Sequence, residues 1–211
     1  MIPLFHDVEG KRVLVVGGGS VARRRARRFV PAAEVTVVAP EFVDGFAESC
    51  DLVRRELPPE ATRETLDEVI PGDGLDGTFL VVVATDDTAV NDAVAAAADE
   101  AGCLVNRADE TGDVVVPSRI ESAEISVALS TRGASPATTK YLRQELTPLI
   151  EEADGMVQIQ RTLRAELKET MSSQQERKRR LRAVLDSPDV WDLLPDDPER
   201  AMTLARDIVE E

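Results

Sequence analysis

The chain has 211 residues and a net charge of −15, with 40 Asp and Glu against 25 Lys and Arg, and 43% of it is hydrophobic. That length and apolar content suit one large domain or two modest ones with a real core, while the acidity opposes nonspecific nucleic-acid binding, which requires phosphate neutralisation. No apolar run reaches the roughly 18 residues of a membrane span, and the start Met1-Ile2-Pro3-Leu4-Phe5 lacks a signal-peptide pattern. Cys50 and Cys103 lie far apart and outside any C-x-x-C, so two reduced, packed thiols in a cytoplasmic protein are expected. His6 is the only histidine. No zinc cluster or nucleophilic triad can draw on more than this one ring, so no metal site is expected and acid–base chemistry falls to carboxylates. The acidic excess reads as a solvated surface suited to high salt, where self-repulsion is screened.

In chain order, the apolar run Val13 to Val16 predicts a buried strand that ends in Gly17-Gly18-Gly19 and turns into a helix near Ser20. Gly17, Gly19 and Ala22 fit G-x-G-x-x-G/A, the dinucleotide-binding fingerprint. Gly17 permits a tight turn, Gly19 a close approach of backbone to pyrophosphate, and Ala22 close packing of helix on strand. The helix start at Ser20 and Val21 then presents N–H groups and a positive dipole end to phosphate. The helix carries Arg23, Arg24, Arg25, Arg27 and Arg28, which suit either a solvated face or a polyanionic ligand. Val35 to Val38 is the second strand. Ala39-Pro40 follow where an acidic residue would hold a ribose 2′-OH, so the residues leave NAD and NADP unresolved.

A helix over about 41–49, a short strand near Leu52 to Arg54 and a loop with a short helix over 58–71 come next, closed by a turn at Gly72-Asp73-Gly74. Phe79 to Ala84 has no polar alternation, as in a strand buried on both faces. Asp86 or Asp87 caps the alanine-rich helix that runs to about Ala101, and Thr85-Asp86-Asp87 falls at the carboxyl end of a central strand, where ligands bind in open α/β sheets. Leu104 to Asn106 is a further parallel strand. Asp113 to Arg119 and Ile125 to Ser130 read as a hairpin-like pair, and Ser135-Pro136 as the start of a long, charged helical region in which Pro188, Pro195 and Pro198 punctuate the last segments. The fold class is therefore α/β: a Rossmann-like parallel sheet over 1–112, a β-α dimerisation segment over 113–150, and a small helical domain over 151–211. The segment's apolar strands lack a partner inside the sheet unit, which predicts a homodimer.

Several of these stretches together resemble the precorrin-2 dehydrogenases, which also form the N-terminal module of siroheme synthases. The resemblance rests on Pro3-Leu4-Phe5, on Val15 to Ala22 with Arg24, Arg25 and Arg27 behind it, on Ala84-Thr85-Asp86-Asp87 with Asn91, on Asn106 to Asp109, on Pro117-Ser118, and on Ser130 to Pro136. It covers roughly residues 2–147. It implies NAD-dependent oxidation of precorrin-2 to sirohydrochlorin in siroheme biosynthesis, followed in some members by insertion of ferrous iron. Asn106-Arg107-Ala108-Asp109 carries the family's N-x-x-D pattern, which makes Asp109 the candidate acid/base, given a pKa raised by partial burial. The resemblance places Gly17, Gly19, Ser20, Val21, Ala22, Thr85 and Asp86 at NAD. It places Arg24, Arg25, Asn106, Ser130, Thr131 and Ser135 at the polycarboxylate tetrapyrrole. Two departures stand out: Arg107-Ala108 replaces an apolar pair, and Arg132 stands where the family often has glycine.

The competing reading is a non-catalytic Rossmann domain that senses NAD through helical oligomerisation arms; it has no need of the aspartate motif, the Ser-Pro turn or the arginine helix. A reductase acting on a small substrate would show a spaced Tyr/Lys pair, and the adjacent Lys140-Tyr141 lacks that spacing.

Overall fold

The computed structural model describes residues 3–110 and 114–210. Two compact units meet at Val116–Pro117. The boundary expected at 112/113, like Asp113 itself, lies outside the described residues.

In the first unit, β1 (Arg12–Val16), α1 (Ser20–Phe29), β2 (Glu34–Ala39), β3 (Cys50–Arg54), α2 (Arg63–Asp67), β4 (Thr78–Val83), α3 (Thr88–Glu100) and β5 (Leu104–Arg107) build a five-stranded sheet in the order β3-β2-β1-β4-β5. Every pair is parallel. Successive strand residues point to opposite faces, and both faces are apolar. Val13, Val15, Val35, Val37, Leu80 and Val82 pack on Ala22 and Ala26 of α1. Leu14, Val16, Val38, Val81 and Val83 pack on the other side with Val90, Val94 and Ala98 of α3. Winding reverses at β1, which has β2 on one side and β4 on the other, so the carboxyl ends of β1 and β4 flank the crevice where open α/β sheets take ligands. Cys50 and Cys103 are free and buried, and burial raises both thiol pKa values.

Two expected elements differ. The helix over 41–49 does not form. Val43 N–H donates to Gly18 C=O at 2.9 Å, Arg27 donates to Gly45 C=O at 2.8 Å and Arg23 to Asp44 C=O, so groups that a helix would bond internally are taken, two carbonyls by α1 and an N–H by the glycine turn. Gly45, at φ +84°, also interrupts any helical turn. The strand expected from Asp113 to Arg119 begins only at Ser118, because the carbonyl of Val114 accepts from Asn106 Nδ2 at 2.7 Å and Pro117 has no N–H to donate to a ladder.

The second unit holds β6 (Ser118–Glu121), β7 (Ser126–Leu129), α4 (Pro136–Thr170), α5 (Gln174–Leu185), α6 (Pro188–Leu193) and α7 (Pro198–Glu210). β6 and β7 pair antiparallel, with Ile120 opposite Val127. Asp154 of α4 holds the tip of that hairpin, accepting from Ser122 Oγ at 2.8 Å, Ala123 N at 2.9 Å and Glu124 N at 3.0 Å. α4 runs through residue 150 without a break. Met156, Ile159, Leu163 and Leu167 recur on it at helical spacing and pack on Leu181, Val184, Val190, Ala201, Ala205 and Val209 of the later helices. No helix among the described residues is long and apolar enough to cross a membrane.

Arg132 supplies the physical reason for one departure. It is the non-glycine residue with positive φ among the described residues, at +54°, and its N–H donates to Ser130 Oγ at 3.1 Å. An L side chain pays roughly 1–2 kcal/mol in this left-handed region, which glycine occupies freely. Arg132→Gly is therefore expected to raise stability, by up to about 1 kcal/mol after the added unfolded-state entropy of glycine. Chemical denaturation beside Arg132→Ala, which stays strained, checks this.

Candidate active site

The glycine turn joins β1 to α1 at the crevice. Gly17 has φ +127°, and a Cβ there would lie 2.4 Å from Ala84 O at the end of β4. A Cβ on Gly18 would lie 1.7 Å from Glu41 O. Gly19 differs: nothing lies within 4 Å of its Cβ position, and it is the N-cap of α1 at an ordinary φ of −82°. Arg23 N–H donates to Gly19 C=O at 3.0 Å, which begins the helix ladder and leaves the N–H groups of Ser20, Val21 and Ala22 at the open amino end. An open space in front of free N–H donors and a positive dipole end fits a dinucleotide pyrophosphate. Ala22 is fully buried against the sheet. The fingerprint leaves position 18 open, so sequence alone does not mark Gly18; the demand for glycine there comes from a loop more than twenty residues on.

Across the crevice, Thr85 follows β4 and is tied to Asn91 of α3. Thr85 Oγ1 donates to Asn91 Oδ1 at 2.6 Å, and Asn91 Nδ2 donates to Thr85 C=O at 3.2 Å. The same Nδ2 donates to Asp109 Oδ2 at 3.0 Å. Asn91 is 1% exposed, so a buried amide links the end of β4 to the aspartate beyond β5. Asp87 caps α3, accepting from Ala89 N at 2.9 Å and Val90 N at 3.2 Å, while Asp86 is exposed.

Asp109 has a second partner. Arg107 Nε donates to its Oδ1 at 3.1 Å and Nη2 to its Oδ2 at 2.8 Å. Nη1 of the same guanidinium reaches Asp92 at 2.6 Å and Glu110 at 3.0 Å. The hydrogen bonds from Arg107 hold the Asp109 carboxyl well below the ordinary carboxylate range, against the opposing push of burial and with further help from Asn91. The expectation of a pKa raised by burial is thereby corrected, because a bidentate guanidinium outweighs partial desolvation. Arg107 is raised in turn, first by its hydrogen bond to Asp109. Arg107 ends β5 and Asp109 follows two residues on in the loop, so their closeness in sequence is the available signal for the pair.

The arginines of α1 divide. Arg25 donates to Asn106 Oδ1, and burial, then Arg28 and Arg24, lower its pKa. With Asn106 Nδ2 on Val114, both ends of that 4%-exposed amide are occupied within the unit. Arg23 and Arg27 hold the loop at Asp44 and Gly45. Arg24 is exposed. The arginine helix therefore anchors loops as well as presenting charge.

In the second unit the predicted hydroxyls act on their own turn. Ser135 Oγ accepts from Thr138 N at 3.2 Å and caps α4. Thr131 Oγ1 accepts from Ser135 N at 3.1 Å, and Ser130 Oγ holds Arg132 N as above.

A family model for NAD(P)-binding proteins matches residues 4–118. The precorrin-2 dehydrogenase of Methanosarcina barkeri is 34% identical over 209 residues, covering 99% of this chain and 93% of the relative. A siroheme synthase of Photobacterium profundum is 34% identical over 189 residues, and there the match spans 39% of the longer protein. Among solved structures, SirC, a precorrin-2 dehydrogenase, superposes with a TM-score of 0.69 at 26% identity, covering 98% of this chain and 100% of that one. With the glycine turn, the crevice and the aspartate beyond β5 in place, these matches mean that the chain belongs to the precorrin-2 dehydrogenase family.

Proposed function

We propose that this chain is an NAD-dependent oxidoreductase that converts precorrin-2 to sirohydrochlorin in siroheme biosynthesis. The observation that carries the reading is the position of Asp109, tied through buried Asn91 to Thr85 at the crevice that the glycine turn also borders. NAD, when bound, accepts the hydride. Gly17, Gly19, Ser20, Val21 and Ala22 would hold its pyrophosphate, with Thr85 and Asp86 on the β4 side. Asp109, ionised and oriented by Arg107 and Asn91, would accept at a carboxylate oxygen the proton that the substrate loses with the hydride, as a base that the Arg107 pairing weakens while it fixes its direction. Arg24 and Arg25, the latter held by Asn106, would meet substrate carboxylates, and Ser130, Thr131 and Ser135 are proposed as substrate-binding hydroxyls.

This reading treats 1–112 as the NAD-binding domain and 113–150 as a dimerisation segment of a cytoplasmic homodimer, with 151–211 as its helical domain. Tyr141, Leu142 and Leu149 on α4 are exposed apolar side chains that a second copy would cover. Sedimentation at micromolar concentration is expected to give a dimer. The net charge of −15 fits adaptation to high salt, and the melting temperature is expected to rise from low to molar salt.

The test is anaerobic: purified protein, precorrin-2 generated in situ and NAD, followed by sirohydrochlorin absorbance, with NADP in a parallel reaction. Turnover preferring NAD is expected. Folded, NAD-binding protein without turnover would make an NAD sensor the better reading. Adding ferrous iron to the product mixture tests whether siroheme follows.

A further inference from the structure

We infer that Arg107 is a positioning residue of this reaction: it grips both oxygens of Asp109, fixing the direction of that carboxylate and keeping it charged while Asp92 and Glu110 hold the guanidinium in place. The inference rests on the proposed role of Asp109.

The geometry is that of a fork. Nε and Nη2 of Arg107 meet Oδ1 and Oδ2 of Asp109 at 3.1 and 2.8 Å, leaving Nη1 for Asp92 of α3 and Glu110 of the following loop. A bidentate pair constrains the orientation of the carboxylate more tightly than a single hydrogen bond does. The Arg107 side chain is 10% exposed, against 29% for Asp109 and more than half for Asp92 and Glu110. The anchor is thus the least accessible of these four charged side chains, while the aspartate is partly exposed. From α3, Asn91 meets Asp109 directly and Asp92 acts through Arg107; from its own strand and loop, Arg107 and Glu110 complete the charged surroundings. The depressed Asp109 carboxyl agrees with this arrangement.

The test compares wild type, Arg107→Gln and Arg107→Lys. The Asp109 carboxyl is titrated by carbon NMR, its resonance assigned by absence in Asp109→Asn, and the pH profile of turnover is recorded beside it. In wild type the carboxyl should titrate below the ordinary range. In Arg107→Gln its midpoint, and the acid limb of turnover with it, should rise by about one to three pH units, the span a neighbouring guanidinium imposes. Arg107→Lys should keep the acid limb low yet leave kcat below wild type with KM for NAD unchanged, because a lysine supplies charge without the fork. An ordinary Asp109 titration in the wild-type protein would overturn the inference with no variant needed. So would a carboxyl midpoint that rises in Arg107→Gln while the acid limb stays still. Full turnover by Asp109→Asn, with the NMR shift intact, would instead overturn the catalytic reading of Asp109 and the positioning role that depends on it.

Discussion

Gly18→Ala and Gly17→Ala are expected to unfold the first unit, each losing about 3 kcal/mol or more, whereas Gly19→Ala is expected to fold and lose cofactor. The added methyl at residue 18 would sit 1.7 Å from the carbonyl oxygen of Glu41, and that carbonyl belongs to a loop already bound to Gly18 through Val43 and to α1 through Arg23 and Arg27. At residue 17 the methyl would meet Ala84 O at 2.4 Å in a backbone conformation that L residues rarely adopt. Neither obstacle is a flexible side chain, so relief requires moving β4 or the 41–45 loop. At residue 19 the space is empty and φ is ordinary, so the cost to folding is only the loss of a favoured N-cap, about 0.5–1 kcal/mol. The same emptiness is where the pyrophosphate would approach. NAD affinity of Gly19→Ala should therefore fall by about tenfold or more, equivalent to about 1.4 kcal/mol. Thermal melts with and without NAD separate the outcomes. Equal melting temperatures for all three variants would remove the distinction.

Asp109→Asn is expected to reduce kcat by about 10² to 10⁴-fold, the usual worth of a positioned acid or base, with NAD binding intact. The protein should still fold, because Arg107 retains Asp92 and Glu110 and Asn91 retains Thr85. The variant also isolates a pH effect. A carboxyl depressed in the folded state contributes stability above its ordinary value of 3.8 and loses it as pH falls through the lower folded value. Wild type should therefore lose stability below about pH 4 in a component that Asp109→Asn lacks. Denaturation at pH 7 and at pH 3 for both proteins measures it. Parallel losses in the two would show that Asp109 carries no such linkage.

Much of the fold was legible because its signals are local. The unbroken apolar runs of β1 and β4 announced strands buried on both sides, and Asp87 and Ser135 cap the helices they precede. Where local signals misled, a distant donor had intervened. Val114 to Val116 look like a strand, yet Asn106 takes the carbonyl of Val114; residues 41–49 look helical, yet α1 takes their carbonyls. Asp109 was identified by resemblance and by its place after a strand. Its ionisation does not follow from burial alone, because the arginine two residues earlier outweighs desolvation.

By itself, then, the sequence determined the strand–helix alternation, the glycine turn, the caps and the family, all of which depend on residue types within a few positions of one another. Only the tertiary structure decided which side chains work together. Asn91 reaches Asp109 across 18 residues and Arg25 reaches Asn106 across 81, meetings that exist because β4 and β5 lie side by side and α1 packs over their sheet. The physical reason is that helical and strand periods, turns and caps are set by the dihedral and hydrogen-bonding preferences of neighbouring residues. The charge and direction of a carboxylate are set by whatever the strand order brings beside it.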